Sequence, residues 1–155
     1  MVHLIELPEN FGFCKAVNEG IRASRSPYVL LLNNDIEVTE NFIEEMLSAI
    51  KRHPKAFSCA ARMIQFHDRD RLDDAGNYSA RLDGLMQEVR GKNIHTYEKG
   101  REDFFASCAG AAIYRKKIFD ELGYFDEEHF AYLEDMDVGY RARIYGYENW
   151  YAPDA

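Results

Sequence analysis

The chain has 155 residues, of which 46% are hydrophobic and 14% aromatic, and its 19 Lys and Arg against 27 Asp and Glu give a formal net charge of −8. This length suits one domain, and the apolar share is too high for a disordered segment. The acidic balance disfavours nucleic-acid and anionic-lipid binding, because both need a basic surface.

The longest uncharged stretch, residues 104–114, has eleven residues, whereas a helix needs about 20 to cross a bilayer. No membrane-spanning segment is therefore predicted, and the N-terminal residues lack the basic start and apolar run of a secretory signal. Cys14, Cys59 and Cys108 are odd in number and widely spaced. This pattern favours buried thiols over disulfides or a zinc site, and we expect a cytoplasmic location.

The chain begins with a strand pattern and a helix pattern. Residues 2–7 predict a short strand that Pro8 ends, and apolar residues at helical spacing after Gly12 predict a helix. The uncharged run at 28–32 predicts a strand covered on both faces, as in a parallel sheet.

A second helix and a third strand pattern follow. Thr39 is the predicted cap of the helix, Pro54 marks its end, and residues 57–64 predict the strand. This β-α-β-α-β order with short connections predicts an α/β domain with right-handed crossovers and a mostly parallel sheet.

Residues 66–103 are polar and irregular, and they predict a long loop region with short strands near Tyr78 and at 86–89. Loops of this length in compact domains often carry function, so we do not interpret the region as a linker between domains.

The last part of the chain predicts two more helices and a strand. A small, apolar stretch leads into a short helix at 116–122 that Gly123 can end. The spacing of apolar residues predicts a helix from 134 to 145, with Gly146 just beyond it, and a final strand at 149–152.

The first candidate for chemistry is Asn33-Asn34-Asp35, which follows the strand at 28–32. Ligands of open α/β sheets bind at the carboxyl edge of the strands. A carboxylate there can hold a divalent cation that takes its other oxygens from water and a diphosphate. A simple Asn/Asp turn explains the same residues about equally well.

The second candidate is the acidic start of the helix predicted at 134–145, where Glu134, Asp135 and Asp137 lie in one turn. Acids there complement the helix dipole, and Asp137 can pair with Arg141. A general base is the functional alternative. It requires burial and neighbouring acids to raise the carboxylate pKa more than the helix N-terminus lowers it.

Other candidates carry weaker signals. Gly110 and Ala111 would let a ligand approach the backbone, but close packing explains them equally well. Asp73 and Asp74 resemble a solvated turn. The five histidines show no metal-ligand spacing.

Taken in order, five pieces of the sequence resemble the family 2 glycosyltransferases, most closely their rhamnosyltransferase-like members, which have the GT-A fold. The pieces are Glu9-Asn10-Phe11-Gly12-Phe13 with Asn18 and Gly20, Tyr28 through Asp35, Asp74-Ala75-Gly76, Gly110-Ala111-Ala112 with Arg115, and Tyr132 through Arg141.

The resemblance implies roles for these residues. Asp35 would be the metal ligand, with Asn33 in the place of the first acid of a DxD motif, and the metal would be Mg²⁺ or Mn²⁺. Asp135, beside Glu134 in an ED motif, would be the general base of an inverting transfer from a nucleotide-diphosphate sugar to a glycan or lipid-linked acceptor. The remaining predicted binding residues are Asn10, Gly12, Asn18, Asn34, Asp74, Gly110 and Ala111.

The resemblance also implies that residues 1–155 are a single, partial catalytic domain that lacks the first β-α-β unit and a later histidine. We therefore expect poor stability and no turnover from this chain alone. A complete enzyme would work in polysaccharide or cell-surface glycan synthesis, at the cytoplasmic face of the membrane.

Two alternatives to a glycosyltransferase stay open. The scaffold could serve as a non-catalytic carbohydrate- or protein-binding module, which would allow Asp35 and Asp135 to lie apart. A nucleotidyltransferase ranks last, because it would need a basic phosphate-binding loop that the sequence lacks.

Overall fold

A computed structural model describes residues 2–75, 79–81, 84–86, 90–95 and 103–155 of the chain. The helices in these ranges are α1 Phe13–Ala23, α2 Phe42–Arg52, α3 Lys116–Leu122 and α4 Glu134–Ile144. The strands are β1 Tyr28–Leu32, β2 Ala56–Ala61, β3 Met63–Ile64, β4 Leu72–Asp74, β5 Ser79–Arg81, β6 Gly84–Met86, β7 Asp103–Phe104, β8 Ala111–Arg115 and β9 Glu148–Ala152. Gly76, Tyr78 and 87–89, which the sequence analysis singled out, lie outside the described residues.

The main sheet has the strand order β1-β8-β2-β9-β7. β8 is antiparallel to both β1 and β2, β2 is parallel to β9, and β7 is antiparallel to β9. The predicted α/β class is confirmed, but the sheet is mixed rather than mostly parallel. The reason is that β8, which follows the long excursion after β2, inserts between β1 and β2 in the opposite direction.

Near the N-terminus, one strand prediction is wrong and the other is confirmed only in part. Residues 2–7 form no strand, because they have no hydrogen-bonded neighbour in the described part of the chain, and Val2 and Leu4 are 96% and 87% exposed. β1 forms as predicted, but it lies at one end of the main sheet, and only Val29 within it is buried.

The strand predicted at 57–64 divides into two. β2 belongs to the main sheet, whereas β3 pairs with β4 in a separate small sheet. Arg62 lies between them, and it donates its backbone N–H to the carbonyl of Ala155 and a guanidinium N–H to the carbonyl of Ile94. With these bonds the chain leaves the main sheet at Arg62, just after the end of β2.

The helices follow their predictions closely. Gly123 and Gly146 follow α3 and α4 with φ of 77° and 84°, a conformation that glycine adopts without strain. The predicted cap of α2 is wrong, because Asn41 occupies the N-cap position and Thr39 contributes only its carbonyl, which accepts the N–H of Phe42.

The main sheet separates two hydrophobic cores. One core joins α1, α3 and α4 to one face of the sheet, and its largest buried side chains are Phe57, Tyr114 and Phe119. The other core joins α2 to the opposite face through Met46 and Ile50. Cys14 and Cys59 are buried in these cores, Cys108 is half-buried, and all three thiols are free.

Candidate active site

The predicted metal motif lies at the end of β1, at the edge of the main sheet. Asn33, Asn34 and Asp35 are all exposed. The backbone N–H of Asn33 donates to the carbonyl of Gly110 at 2.9 Å, across from the start of β8. This bond continues the pairing of β1 with β8 and holds the motif against residues 108–110.

Residues 108–110 form a turn that contacts both predicted motifs. On one side, the Asn33 side chain lies so close to Gly110 that an added Cβ would meet its Nδ2 at 3.4 Å. On the other side, the backbone N–H of Ala109 donates to Oδ2 of Asp135 at 3.4 Å. The turn therefore lies next to both the amide side chain of one motif and the carboxylate of the other.

Asp135 lies in the first turn of α4 with a raised pKa. Burial raises the pKa of its carboxyl above the ordinary value of 3.8, while hydrogen bonds from the N–H groups of Met136 and Ala109 oppose that rise. The bond from Met136 reaches Oδ1 at 2.7 Å. Burial therefore affects the pKa of Asp135 more than the hydrogen bonds at the helix start do, a balance that the sequence alone did not decide.

Glu134 is buried beside Asp135, with 7% of its surface exposed. Burial is the main cause of its raised pKa, and the charge of Asp135 adds to it. Its Oε2 is buried without a hydrogen-bond partner among the described residues. Two neighbouring carboxyl groups at the helix start are therefore both shifted toward their protonated forms.

The backbone that leads into α4 is strained. Tyr132 and Leu133 have φ of 73° and 68°, the left-handed region that non-glycine residues avoid. Such a residue costs about 1–3 kcal/mol, and strain of this kind is concentrated at functional sites. No pattern in the sequence indicates this strain, because neither tyrosine nor leucine favours this conformation.

Asp74 belongs to the same neighbourhood. The pKa of the Cys108 thiol is raised to about 12 by burial and by the nearby charges of Asp74, Asp135 and Glu134. Asp74 is only 2% exposed and lies in β4, opposite Met63. The expectation of a solvated turn is therefore wrong for Asp74, because it is a buried strand residue between Leu72 and Ala75, which belong to a buried hydrophobic cluster.

A cavity of about 860 Å³ opens beside the metal motif. Its lining includes Asn33, Asp35, Ala111 and Arg62. Of the predicted catalytic pair, neither carboxylate is among the described residues that line it. The turn at 108–110, rather than the cavity, is what Asn33 and Asp135 share.

The residues predicted on the donor side lie just before α1 and within it. Asn10 accepts the N–H of Gly12 on its Oδ1 at 3.0 Å. Asn18 is fully buried, and its side chain donates to the carbonyl of Phe125 at 2.8 Å and accepts the N–H of the same residue at 3.1 Å. Donor contact by these residues stays a prediction, while the structure gives Asn18 a role in holding the chain at Phe125.

A buried polar network positions the chain before the turn, and the sequence analysis missed it. Ser58 in β2 bonds the hydroxyl of Ser107 at 2.8 Å and the Oδ1 of Asn149 at 2.7 Å. The Asn149 amide donates to the carbonyls of Phe105 and Gly139. The sequence signal for this network is a polar residue inside each strand pattern, Ser58 in β2 and Asn149 in β9.

The donor set at Asn33 and Asp35 suits a hard divalent cation. Mg²⁺ and similar ions bind through one or two protein oxygens and keep sites for water and phosphate oxygens. The exposed carboxylate of Asp35 and amide of Asn33 offer this number of ligands beside a roomy cavity. Within the described ranges, no group of three or more His, Cys, Asp or Glu is arranged to hold a metal by itself.

Comparison with known proteins gives consistent matches. The family described as "Glycosyl transferase family 2" matches residues 1–123. The N-acetylglucosaminyl-diphospho-decaprenol L-rhamnosyltransferase of Mycobacterium tuberculosis is 26% identical over 176 residues, which cover 99% of this chain and 57% of that protein. The low-salt glycan biosynthesis hexosyltransferase Agl10 of Haloferax volcanii is 26% identical over 149 residues, which cover 92% of this chain and 46% of that protein. The chain thus spans about half the length of these relatives.

A solved structure supports the fold. The crystal structure of GalNAc-T7 with UDP, GalNAc and Mn²⁺ matches with a TM-score of 0.70 at 13% identity, and the match covers 95% of this chain and 30% of that one. The GT-A-like fold expected from the sequence is confirmed.

None of the helices in the described ranges has the length and apolarity needed to cross a membrane.

Proposed function

Because this chain belongs to glycosyl transferase family 2, we propose that it carries out sugar transfer from a nucleotide-diphosphate sugar to an acceptor hydroxyl. The mycobacterial relative is named N-acetylglucosaminyl-diphospho-decaprenol L-rhamnosyltransferase, and the GalNAc-T7 structure contains UDP. These names support a nucleotide-sugar donor and a glycan or lipid-linked acceptor. Residues 1–155 would form a single, partial catalytic domain.

One observation carries this proposal. The turn at 108–110 bonds Asn33 through the carbonyl of Gly110 and bonds Asp135 through the N–H of Ala109. A transferase needs one group for the departing diphosphate and another for the acceptor hydroxyl, on opposite sides of the sugar. The turn supports such an arrangement, because its adjacent residues Ala109 and Gly110 bond Asp135 and Asn33, respectively.

In the proposed reaction, Asp135 removes the proton of the acceptor hydroxyl as the oxygen attacks the anomeric carbon. The bond from that carbon to the diphosphate oxygen breaks, and the nucleoside diphosphate leaves with the electron pair. This single displacement inverts the anomeric configuration. The raised pKa of Asp135 suits a base, because a more basic carboxylate accepts the proton more readily.

Asp35 and Asn33 would hold a divalent metal in this proposal. A metal bound there supplies positive charge that stabilises the departing diphosphate. Asn34 lies between these residues in the sequence. Ala111 is opposite Leu32 in the pairing of β1 with β8, and it lines the cavity with Asn33 and Asp35. A Cβ at Gly110 would be in ordinary van der Waals contact with the Asn33 side chain, and its absence leaves that space for a ligand.

The test is to follow the reaction product. The purified protein, as its natural gene encodes it, is mixed with a panel of nucleoside-diphosphate sugars and a glycan acceptor, and proton NMR reports the anomeric configuration of the new bond. We expect release of the nucleoside diphosphate and a product with inverted configuration. A product with retained configuration would contradict the direct displacement, and no release with any donor would contradict the transfer itself.

A second candidate is a carbohydrate-binding module without catalysis. The observation that favours it is that neither Glu134 nor Asp135 is among the described residues lining the large cavity. A binding module would bind a glycan with the same affinity in wild type and in Asp135→Asn, and it would release no nucleoside diphosphate. Calorimetric titration beside the product assay separates the two candidates.

A further inference from the structure

The segment at 126–133, between Phe125 and α4, is anchored at both ends. Asn18 clamps the backbone of Phe125 with two hydrogen bonds. At the other end, the carbonyl of Leu133 accepts the N–H of Asp137 at 3.0 Å and so begins α4. Between these points, the backbone N–H of Phe13 donates to the carbonyl of Phe130 at 2.8 Å.

The contact with α1 is close enough to limit movement of the segment. Gly12, at the start of α1, has no room for a side chain, because an added Cβ would lie 2.4 Å from the carbonyl oxygen of Phe130 and 2.8 Å from Cδ2 of its ring. The segment therefore rests directly on the backbone of Gly12. Only Ala131, Tyr132 and Leu133 separate this contact from Glu134.

Tyr132 combines a strained backbone with an exposed ring. Its φ is 73°, and its side chain is 84% exposed. Leu133 is strained as well and is 54% exposed. Burial of these side chains therefore does not offset the strain, and backbone strain without a packing reason points to a functional cause.

In the sequence, one residue separates Tyr132 from Glu134 and two separate it from Asp135. An exposed tyrosine beside polar groups offers an apolar face and a hydroxyl, the two features that a pyranose ring requires: its C–H face packs on the ring and its hydroxyls bond polar neighbours. Exposed carboxylates lie nearby in the chain at Asp126 and Glu128, and they can accept hydrogen bonds from sugar hydroxyls.

We propose that the Tyr132 ring stacks against the acceptor sugar and so places the acceptor hydroxyl of that sugar next to Asp135. The acceptor is therefore a glycan or a lipid-linked sugar, and a sugar-free lipid is not a good ligand for this ring. This inference rests on the proposed function. It makes Tyr132 a determinant of acceptor specificity.

The test measures KM values in the protein as its natural gene encodes it. The acceptor probe is N-acetylglucosamine diphosphate linked to a short prenol, and the same prenyl diphosphate without the sugar is a competitive inhibitor for comparison. In Tyr132→Ala, we expect the acceptor KM to rise at least about tenfold, as loss of a stacked aromatic ring implies. The donor KM and the inhibition constant of the sugar-free compound should change far less than the acceptor KM.

Three further variants separate stacking from a structural role. Tyr132→Trp keeps an aromatic face and should keep the acceptor KM within about threefold of wild type. Tyr132→Gly should raise the melting temperature, because glycine adopts a positive φ without strain, and should raise the acceptor KM as Tyr132→Ala does. The matched control is Tyr145→Ala, a tyrosine that is 60% exposed at the other end of α4 and should not affect the KM.

Several outcomes would overturn the inference. It is wrong if Tyr132→Ala leaves the acceptor KM unchanged, if Tyr145→Ala raises it equally, or if the sugar-free inhibitor loses affinity as much as the acceptor does. Failure of the proposed function looks different, because the wild-type protein itself would then release no nucleoside diphosphate.

Discussion

At the scale of single residues, the start of α4 sets two effects against each other. The N-terminus of a helix favours a negative charge, whereas burial favours the neutral acid. For Asp135 burial has the larger effect, and it outweighs the hydrogen bonds that the carboxyl accepts from the N–H groups of Ala109 and Met136. A buried carboxyl with a raised pKa suits proton transfer, but it lowers the free energy of unfolding at a pH where it is charged.

The first prediction concerns that cost. Since the folded-state pKa of Asp135 is raised, the carboxyl contributes stability below its ordinary value of 3.8 and loses that contribution as pH rises through the folded value. We therefore expect Asp135→Asn to raise the melting temperature relative to wild type near pH 7. The gain should shrink as pH is lowered toward 3.8.

Calorimetric melting over a pH series measures this effect. Asp120→Asn, on the exposed surface of α3, is the matched control for removing one aspartate charge. A difference between Asp135→Asn and wild type that stays constant with pH, or grows as pH falls, would show that burial does not dominate at this carboxyl.

The sequence could locate Glu134 and Asp135 but not their pKa values. Their acidity, spacing and position at a helix start are visible in the pattern of residues. Burial is not visible there, because it depends on residues distant in the chain, such as Ala109, which bonds Asp135 from 26 positions earlier. The same holds for Tyr132, whose backbone conformation depends on the anchored segment around it and not on its own preference.

At the scale of elements, glycines decide where two helices meet their neighbours. Gly12 lies under Phe130 at the start of α1, and Gly139 in α4 lies so close to Ala106 that an added Cβ would be 2.5 Å from its Cβ. Through these contacts α1 holds the segment before the acid pair, and α4 approaches the chain that leads into the turn at 108–110.

The second prediction compares two glycines of α1. Gly12→Ala should destabilise the protein by at least about 2 kcal/mol, because the residue has a φ of 87° and its new Cβ would overlap the Phe130 carbonyl. Gly20→Ala should stabilise it by about 0.5–1 kcal/mol, since Gly20 lies inside the helix with nothing within 4 Å of an added Cβ.

Urea unfolding of both variants and wild type measures these free energies. If Gly12→Ala unfolds at the same urea concentration as Gly20→Ala, the segment at 126–133 does not rest on α1 as described. A loss of transfer activity in Gly12→Ala, with Gly20→Ala unaffected, would connect this contact to the position of the acid pair.

The helices could be predicted from sequence more readily than the sheet. Apolar spacing and the glycines at 123 and 146 mark α3 and α4 by local rules. Strand direction depends on partners that are distant in sequence, so an apolar run such as β8 carries no sign that it pairs antiparallel with two strands. Arg62 likewise ends β2 through bonds to Ile94 and Ala155, which are remote in the chain.

At the scale of the whole molecule, two motifs about a hundred residues apart meet at one short turn. Asn33 follows β1, Asp135 begins α4, and the residues that join them precede β8. The sequence predicted the motifs through their resemblance to a family, and the α/β order predicted that strand ends would gather at an edge. Which turn would join the motifs could not be predicted, because the chain reaches it only after the irregular region from 66 to 103.

The most direct test is the rate of sugar transfer in four matched reactions: wild type with added Mg²⁺ or Mn²⁺, wild type with a chelator, Asp35→Ala, and Asp135→Asn. We expect the chelator and Asp35→Ala each to slow transfer strongly, and Asp135→Asn to slow it about 10²–10⁴-fold, the range that a positioned general base contributes. Asp120→Asn should keep the wild-type rate. Equal rates in all four reactions would contradict a site in which these two carboxylates serve one transfer.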